Sequence, residues 1–131
     1  QMRLAAYRAL AQRHPKRSIP MLKTRMRNDG FSNLDRREQI AIAMALGETR
    51  SNDALRFFHS MLNRKTTFFS RGKQNELKMI AIKGVVAMRT VDAFKLLSEE
   101  IQNRSHSKEI LEELHRAAVR LKSELSGTAE R

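Results

Sequence analysis

An internal repeat restricts this chain more than any other feature. EQIAIAMALGETRSNDALRFFHSML (38–62) lies over ELKMIAIKGVVAMRTVDAFKLLSEEI (76–101), with one extra residue in the second turn. Glu38 falls on Glu76, and Asp53-Ala54 falls on Asp92-Ala93, offsets of 38 and 39. LAAYRALAQRHPKRSIPMLKTRM (4–26) follows the same pattern about 36 residues upstream, with Ala5, Ala9 and Leu10 on Ala41, Ala45 and Leu46. A unit of this length that buries no core of its own is stable only when stacked on its neighbours.

Within each unit the apolar period is helical. Leu77, Ile80, Ala81, Gly84 and Val85 fall on one helix face, as do Leu55, Phe58 and Leu62, Phe94, Leu97 and Ile101, and Ile110, Leu114, Ala117 and Leu121. No stretch alternates as a strand does. Ser51 and Thr90 precede short acidic first turns at Asp53 and Asp92, and Asp35 stands three residues before Glu38 in an acidic form of the capping box. Ser18 precedes Ile19-Pro20, where a first turn tolerates proline. Ser107 opens the last helix and Gly127 ends it. These signals predict helices over 2–13, 18–28, 35–47, 52–63, 74–88, 91–103 and 108–125.

AIAMALGETRSNDALRFFHSML resembles a HEAT repeat: a first helix ending in Ala-Leu-Gly, a short turn, and a second helix with Ala and Leu inward. The resemblance implies an all-α, right-handed α-solenoid of about three and a half helical hairpins, with units near 2–30, 34–63 and 74–103 and a capping helix at 108–125. It implies one domain, 1–131, and carries over no catalytic residue. The chain opens on Gln and enters an apolar periodic segment at once, so it is expected to be a fragment of a longer protein. Gly84-Val85-Val86 stands where the middle unit has Ala45-Leu46-Gly47, a departure expected to loosen one packing position. The small residues Ala41, Ala45, Ala54, Ala81 and Ala93 allow close helix approach, and the seven methionines read as core fillers.

Composition narrows the chemistry. With no cysteine, disulfides, thiolate metal sites and cysteine nucleophiles are excluded, and the expected compartment is the cytoplasm. The longest apolar run, residues 40–46, is far below the roughly 20 residues that span a bilayer, so no membrane insertion is expected. Glu112 and His115 are the sole Glu-x-x-His pair, without the second copy a di-metal bundle needs. Glu112 is placed to pair with Arg116. Glu99 and Glu100 are adjacent on a helix, so their carboxylates diverge rather than converge on a substrate. No spaced glycines form a phosphate loop. The chain is therefore read as noncatalytic, with no metal or cofactor.

The net charge of +12 is uneven: residues 1–37 carry +8, 38–75 carry +3 and 76–131 carry +1. Aligned second helices place Lys23 beside His59, Arg27 beside Asn63, and Arg56 beside Lys95, opposite the rows Leu22/Phe58/Leu97 and Met26/Leu62/Ile101 that should be buried. The connector NRKTTFFSRGKQN (63–75) adds Arg64, Lys65, Arg71 and Lys73 around Phe68 and Phe69. At least one of these rings is expected to pack under the connector or against a neighbouring helix, since burying a Phe gains roughly 1.5–3 kcal/mol. The resulting expectation is a protein-interaction or scaffolding module that presents Lys23, Arg27, Arg56, Arg64, Lys65, Arg71 and Lys73 to an acidic protein partner or sister domain. The alternative is sequence-nonspecific binding of a nucleic-acid backbone through the same residues. Oligomeric state is open.

Overall fold

The computed structural model describes residues 2–64 and 71–129. Seven α-helices, α1 (Met2–Arg13), α2 (Pro15–Arg27), α3 (Arg36–Glu48), α4 (Asn52–Asn63), α5 (Arg71–Met88), α6 (Val91–Ile101) and α7 (Lys108–Ala129), carry nearly all of it, with a short 3-10 turn at Asp29–Asn33. Among the described residues there is no strand, and no helix is long and apolar enough to cross a membrane.

The expected caps hold at three helix starts. Ser51 accepts from the Ala54 amide at 3.0 Å, Thr90 from the Ala93 amide at 3.1 Å, and Ser107 from the Ile110 amide at 3.3 Å. Each satisfies an amide that has no partner within its helix. Four other expectations fail for identifiable reasons. Ser18 does not open α2: the helix begins at Pro15, and Ser18 lies buried inside it, donating its hydroxyl to the Pro15 carbonyl at 3.0 Å. Pro20 therefore stands in the helix interior. Asp35 caps α3 through the Arg37 amide, while Glu38 receives the Tyr7 hydroxyl at 3.0 Å and lies 3.5 Å from Arg25, so its side chain ties α1 and α2 to α3. α5 covers Arg71–Met88, so Arg71 and Lys73 are helical rather than part of a connector reaching residue 75. Gly127 stays helical because a glycine ends a helix through a left-handed φ, and no described glycine has one.

The odd-numbered helices pack in succession, α1 on α3, α3 on α5 and α5 on α7. Each even-numbered helix lies against the two odd ones that flank it in sequence. The inward rows are as the periodicity requires: Leu22, Phe58 and Leu97 are fully buried, Met26 and Leu62 are buried, and Ile101 is half-buried. The methionines divide. Met26 and Met88 are buried, whereas Met21 and Met44 are exposed and fill no core.

Gly84 is the opposite of a loosened position. A Cβ there would lie 2.5 Å from Cε1 of Phe58 and 3.0 Å from the Ala43 carbonyl oxygen. A Cβ on Gly47 would run into the Gly84 carbonyl. Two glycines thus let α3 and α5 meet backbone to backbone, and one of them seats the Phe58 ring of α4.

The repeat also recurs in the turns. Arg50 and Arg89, 39 residues apart, are the described non-glycine residues with positive φ, at 53° and 52°. Each follows the C-terminal end of an odd-numbered helix and immediately precedes a capping Ser51 or Thr90. A left-handed residue at this place turns the chain into the second helix of the hairpin.

Candidate functional site

α2 and α4 set the floor of a groove that α5 closes. On α2, Lys23 and Arg27 are one helical turn apart and share a face. On α4, Phe57 packs edge-on against the buried Phe58, with ring centroids 6.2 Å apart at 63°. The exposed side of Phe57 is roofed by cations: Lys23 Nζ lies 5.9 Å from the ring centroid and the Arg27 guanidinium 5.1 Å. Phe57 is left only 7% exposed. Such contacts contribute about 0.5–1 kcal/mol each at exposed sites, and they hold two long cationic side chains against the surface. The groove has a volume of about 610 Å³. Met26, Phe57, Met61 and Leu77 supply its apolar wall. Among the described residues its cations are Arg27, Arg64 and Lys78, and no carboxylate lines it.

A polar network lies behind this groove. Glu100 of α6 is 5% exposed although it falls three residues after Leu97, on the apolar face. Its Oε1 accepts from His106 Nε2 at 2.8 Å and from Asn63 Nδ2 at 3.2 Å, and its Oε2 lies 3.8 Å from His59 Nε2. His106, also 5% exposed, is placed by the turn after α6, where Asn103 Oδ1 accepts from the Ser105 amide and hydroxyl. Asn103 Nδ2 donates to Asn63 Oδ1 at 3.0 Å, so α4 and that turn are tied together. The second imidazole nitrogen, Nδ1, is 3.1 Å from Lys78 Nζ. An ammonium can only donate, so Nδ1 accepts and the imidazole proton sits on Nε2, facing Glu100.

The electrostatics follow from these contacts. Burial pushes the Glu100 carboxyl up, but hydrogen bonds from His106, Asn63 and Asn103 together hold it below its ordinary value. Burial pushes the Lys78 ammonium down, and the attraction of Glu100 offsets this only in part.

The sequence-predicted cations do not converge as one site. Arg27 and Arg64 line the groove, and Lys23 reaches it over Phe57. Arg56 is held by Asp53 at 2.8 Å and lines a separate shallow depression with His59, Lys95, Asp92 and Glu99. Two carboxylates stand in that depression, so its charge is mixed. Arg71 and Lys73 are exposed on α5 and do not line the groove. Lys65, Phe68 and Phe69, with the expectation that a ring packs beneath the connector, lie outside the described residues. Arg116 pairs with Glu113 at 2.9 Å rather than with Glu112, since the i,i+3 carboxylate lies nearer its guanidinium.

Lys78, Glu100 and His106 were not singled out by the sequence pattern as a unit. One signal was there: an acidic residue on the Leu96/Leu97 side of α6 has to find donors in the interior. Among the described residues no group of three or more His, Asp or Glu side chains is arranged to hold a metal ion. No family model matches the chain, and neither does any curated protein or solved structure.

Proposed function

We propose that this chain is a HEAT-type α-solenoid segment that works as a noncatalytic protein-interaction module, docking an acidic protein segment on the face formed by its second helices. The carrying observation is the groove between α2, α4 and α5, where Lys23, Arg27, Arg64 and Lys78 surround an apolar wall and, among the described residues, no carboxylate lines the cavity. The solenoid reading draws support from the succession of odd-numbered helices, the even-numbered helices set between them, and the repeated left-handed turns at Arg50 and Arg89. Stacked hairpins of this kind expose a continuous face of second helices to partners. Charge complementarity on that face speeds encounter and selects partners more than it raises affinity.

The test compares two polyanions by fluorescence anisotropy at about 50 and about 200 mM salt: a polyglutamate of about twenty residues and unrelated single strands of about twenty bases. Polyglutamate binding that weakens roughly tenfold or more in a Lys23→Glu, Arg27→Glu, Arg64→Glu triple variant, and hardly at all in Arg56→Glu, supports the reading. Tighter binding of every oligonucleotide than of polyglutamate, falling log-linearly with salt, overturns it in favour of a phosphate backbone.

A further inference from the structure

We infer that the groove recognises a carboxylate side chain flanked by an apolar one, and that Lys78 is the residue that holds the carboxylate. This rests on the reading of the groove as the docking face for an acidic protein segment, and it names the group that face selects.

Donor accounting carries the first step. A lysine ammonium has three N–H groups. His106 Nδ1 accepts one of them at 3.1 Å, and it is the one acceptor Lys78 has among the described residues. His106 itself is fixed, because its other nitrogen is committed to Glu100 at 2.8 Å and its side chain is fully enclosed. Glu100 cannot swing out to take the remaining donors: its Oε1 already accepts two hydrogen bonds and the residue is 5% exposed. Two N–H groups of this half-buried cation thus have no acceptor among the described residues, and Lys78 lines the groove. A half-buried cation with free donors favours a charged acceptor, since hydrogen bonds between ions are stronger than neutral ones.

The second step is the wall. Met26, Phe57, Met61 and Leu77 line the same groove as Lys78. A cavity of about 610 Å³ has room for a few side chains. Flexible thioethers adapt to apolar groups of differing shape. The same wall disfavours a nucleic acid. Base stacking needs an open aromatic face, and the Phe57 ring is already covered by Arg27 and Lys23.

The experiment uses the full chain and two small probes of equal size, 4-phenylbutyrate and its neutral amide, 4-phenylbutanamide. Binding is followed through the methionine methyl and backbone amide signals in NMR spectra. The carboxylate is expected to shift the Met26 and Met61 methyls and the amides around residues 60–64 and 77–78, and to bind roughly five- to tenfold tighter than the amide. Lys78→Met should remove that preference, bringing the carboxylate's affinity down to about that of the amide. A chain destabilised by the substitution leaves the comparison of the two probes on the unaltered protein as the deciding result. Equal affinity for both probes overturns the proposal, as do shifts centred on Arg56, His59 and Lys95. Tighter probe binding in a Phe68→Ala, Phe69→Ala variant also overturns it, by assigning the groove to the chain itself. Polyglutamate binding that depends on Arg27 and Arg64 but survives Lys78→Met refutes the anchor and leaves the docking reading standing. Loss of the carboxylate preference together with absent polyglutamate binding removes both.

Discussion

Gly47→Ala should destabilise the protein although alanine is the better helix former. Within a helix the exchange gains about 1 kcal/mol. At Gly47 the added methyl meets the Gly84 carbonyl, with Gly84 C at 3.0 Å and Ala87 Cβ at 3.2 Å. The obstacle is the backbone of α5, which no rotamer change can move aside, so α3 and α5 must part. Overpacking costs about 1–3 kcal/mol, and a gap of 0.5–1 Å forfeits roughly a quarter to a half of each dispersion contact across the interface. Taking the upper end of that range less the propensity gain, the net loss is about 2 kcal/mol, or roughly 6–10 °C in Tm for a chain of this size. Thermal and urea unfolding followed by circular dichroism would measure it. Gly127→Ala is the control, since nothing lies within 4 Å of a Cβ there, and it should be neutral or slightly stabilising. Gly84→Ala gives a sharper comparison because its main obstacle is the Phe58 ring. Phe58→Leu should partly rescue Gly84→Ala and should not rescue Gly47→Ala. Gly47→Ala as stable as the unaltered chain would refute the account of α3–α5 contact.

Three further outcomes are expected. Arg50→Gly and Arg89→Gly should each stabilise the fold by about 1 kcal/mol, because the left-handed φ of 53° or 52° is costly for a residue with a Cβ and free for glycine; denaturant midpoints would register this. Ser51→Ala should cost about 1 kcal/mol in the same assay, leaving the Ala54 amide without its acceptor. Glu100 sets an acid-side dependence. Its folded carboxyl titrates below the ordinary 4.5, so its stabilisation is fully present above that pH and is lost as pH falls through the lowered folded value. Glu100→Gln should flatten the decline in stability below about pH 4.5; an unchanged slope would mean that the buried carboxylate is not coupled to folding.

Periodicity and capping were local enough to read from the chain. Leu22, Phe58 and Leu97 are inward because their spacing leaves a helix one apolar stripe, and Ser51 and Thr90 cap because their hydroxyls reach amides three residues away. The misreadings share a cause. Ser18 has the residue type of a cap, yet Pro15 starts the helix earlier, where its missing amide hydrogen costs nothing. Gly84 read as a weak place along α5, because the Phe58 ring and the Ala43 carbonyl that require it come from other helices.

The sequence by itself determined that the chain is helical, that its units repeat and which face of each helix is apolar, since all three depend on neighbours within a few turns. Tertiary structure decided which cations share a surface. Lys23, Arg27 and Arg64 are brought to one groove by the docking of α2, α4 and α5, while Arg56, on the same helix as Phe57, faces another. It alone brought Lys78, Glu100 and His106, from α5, α6 and the turn that follows, into one chain of hydrogen bonds. Buried polar groups take partners by proximity in space, and no spacing along the sequence encodes a meeting between three separate elements.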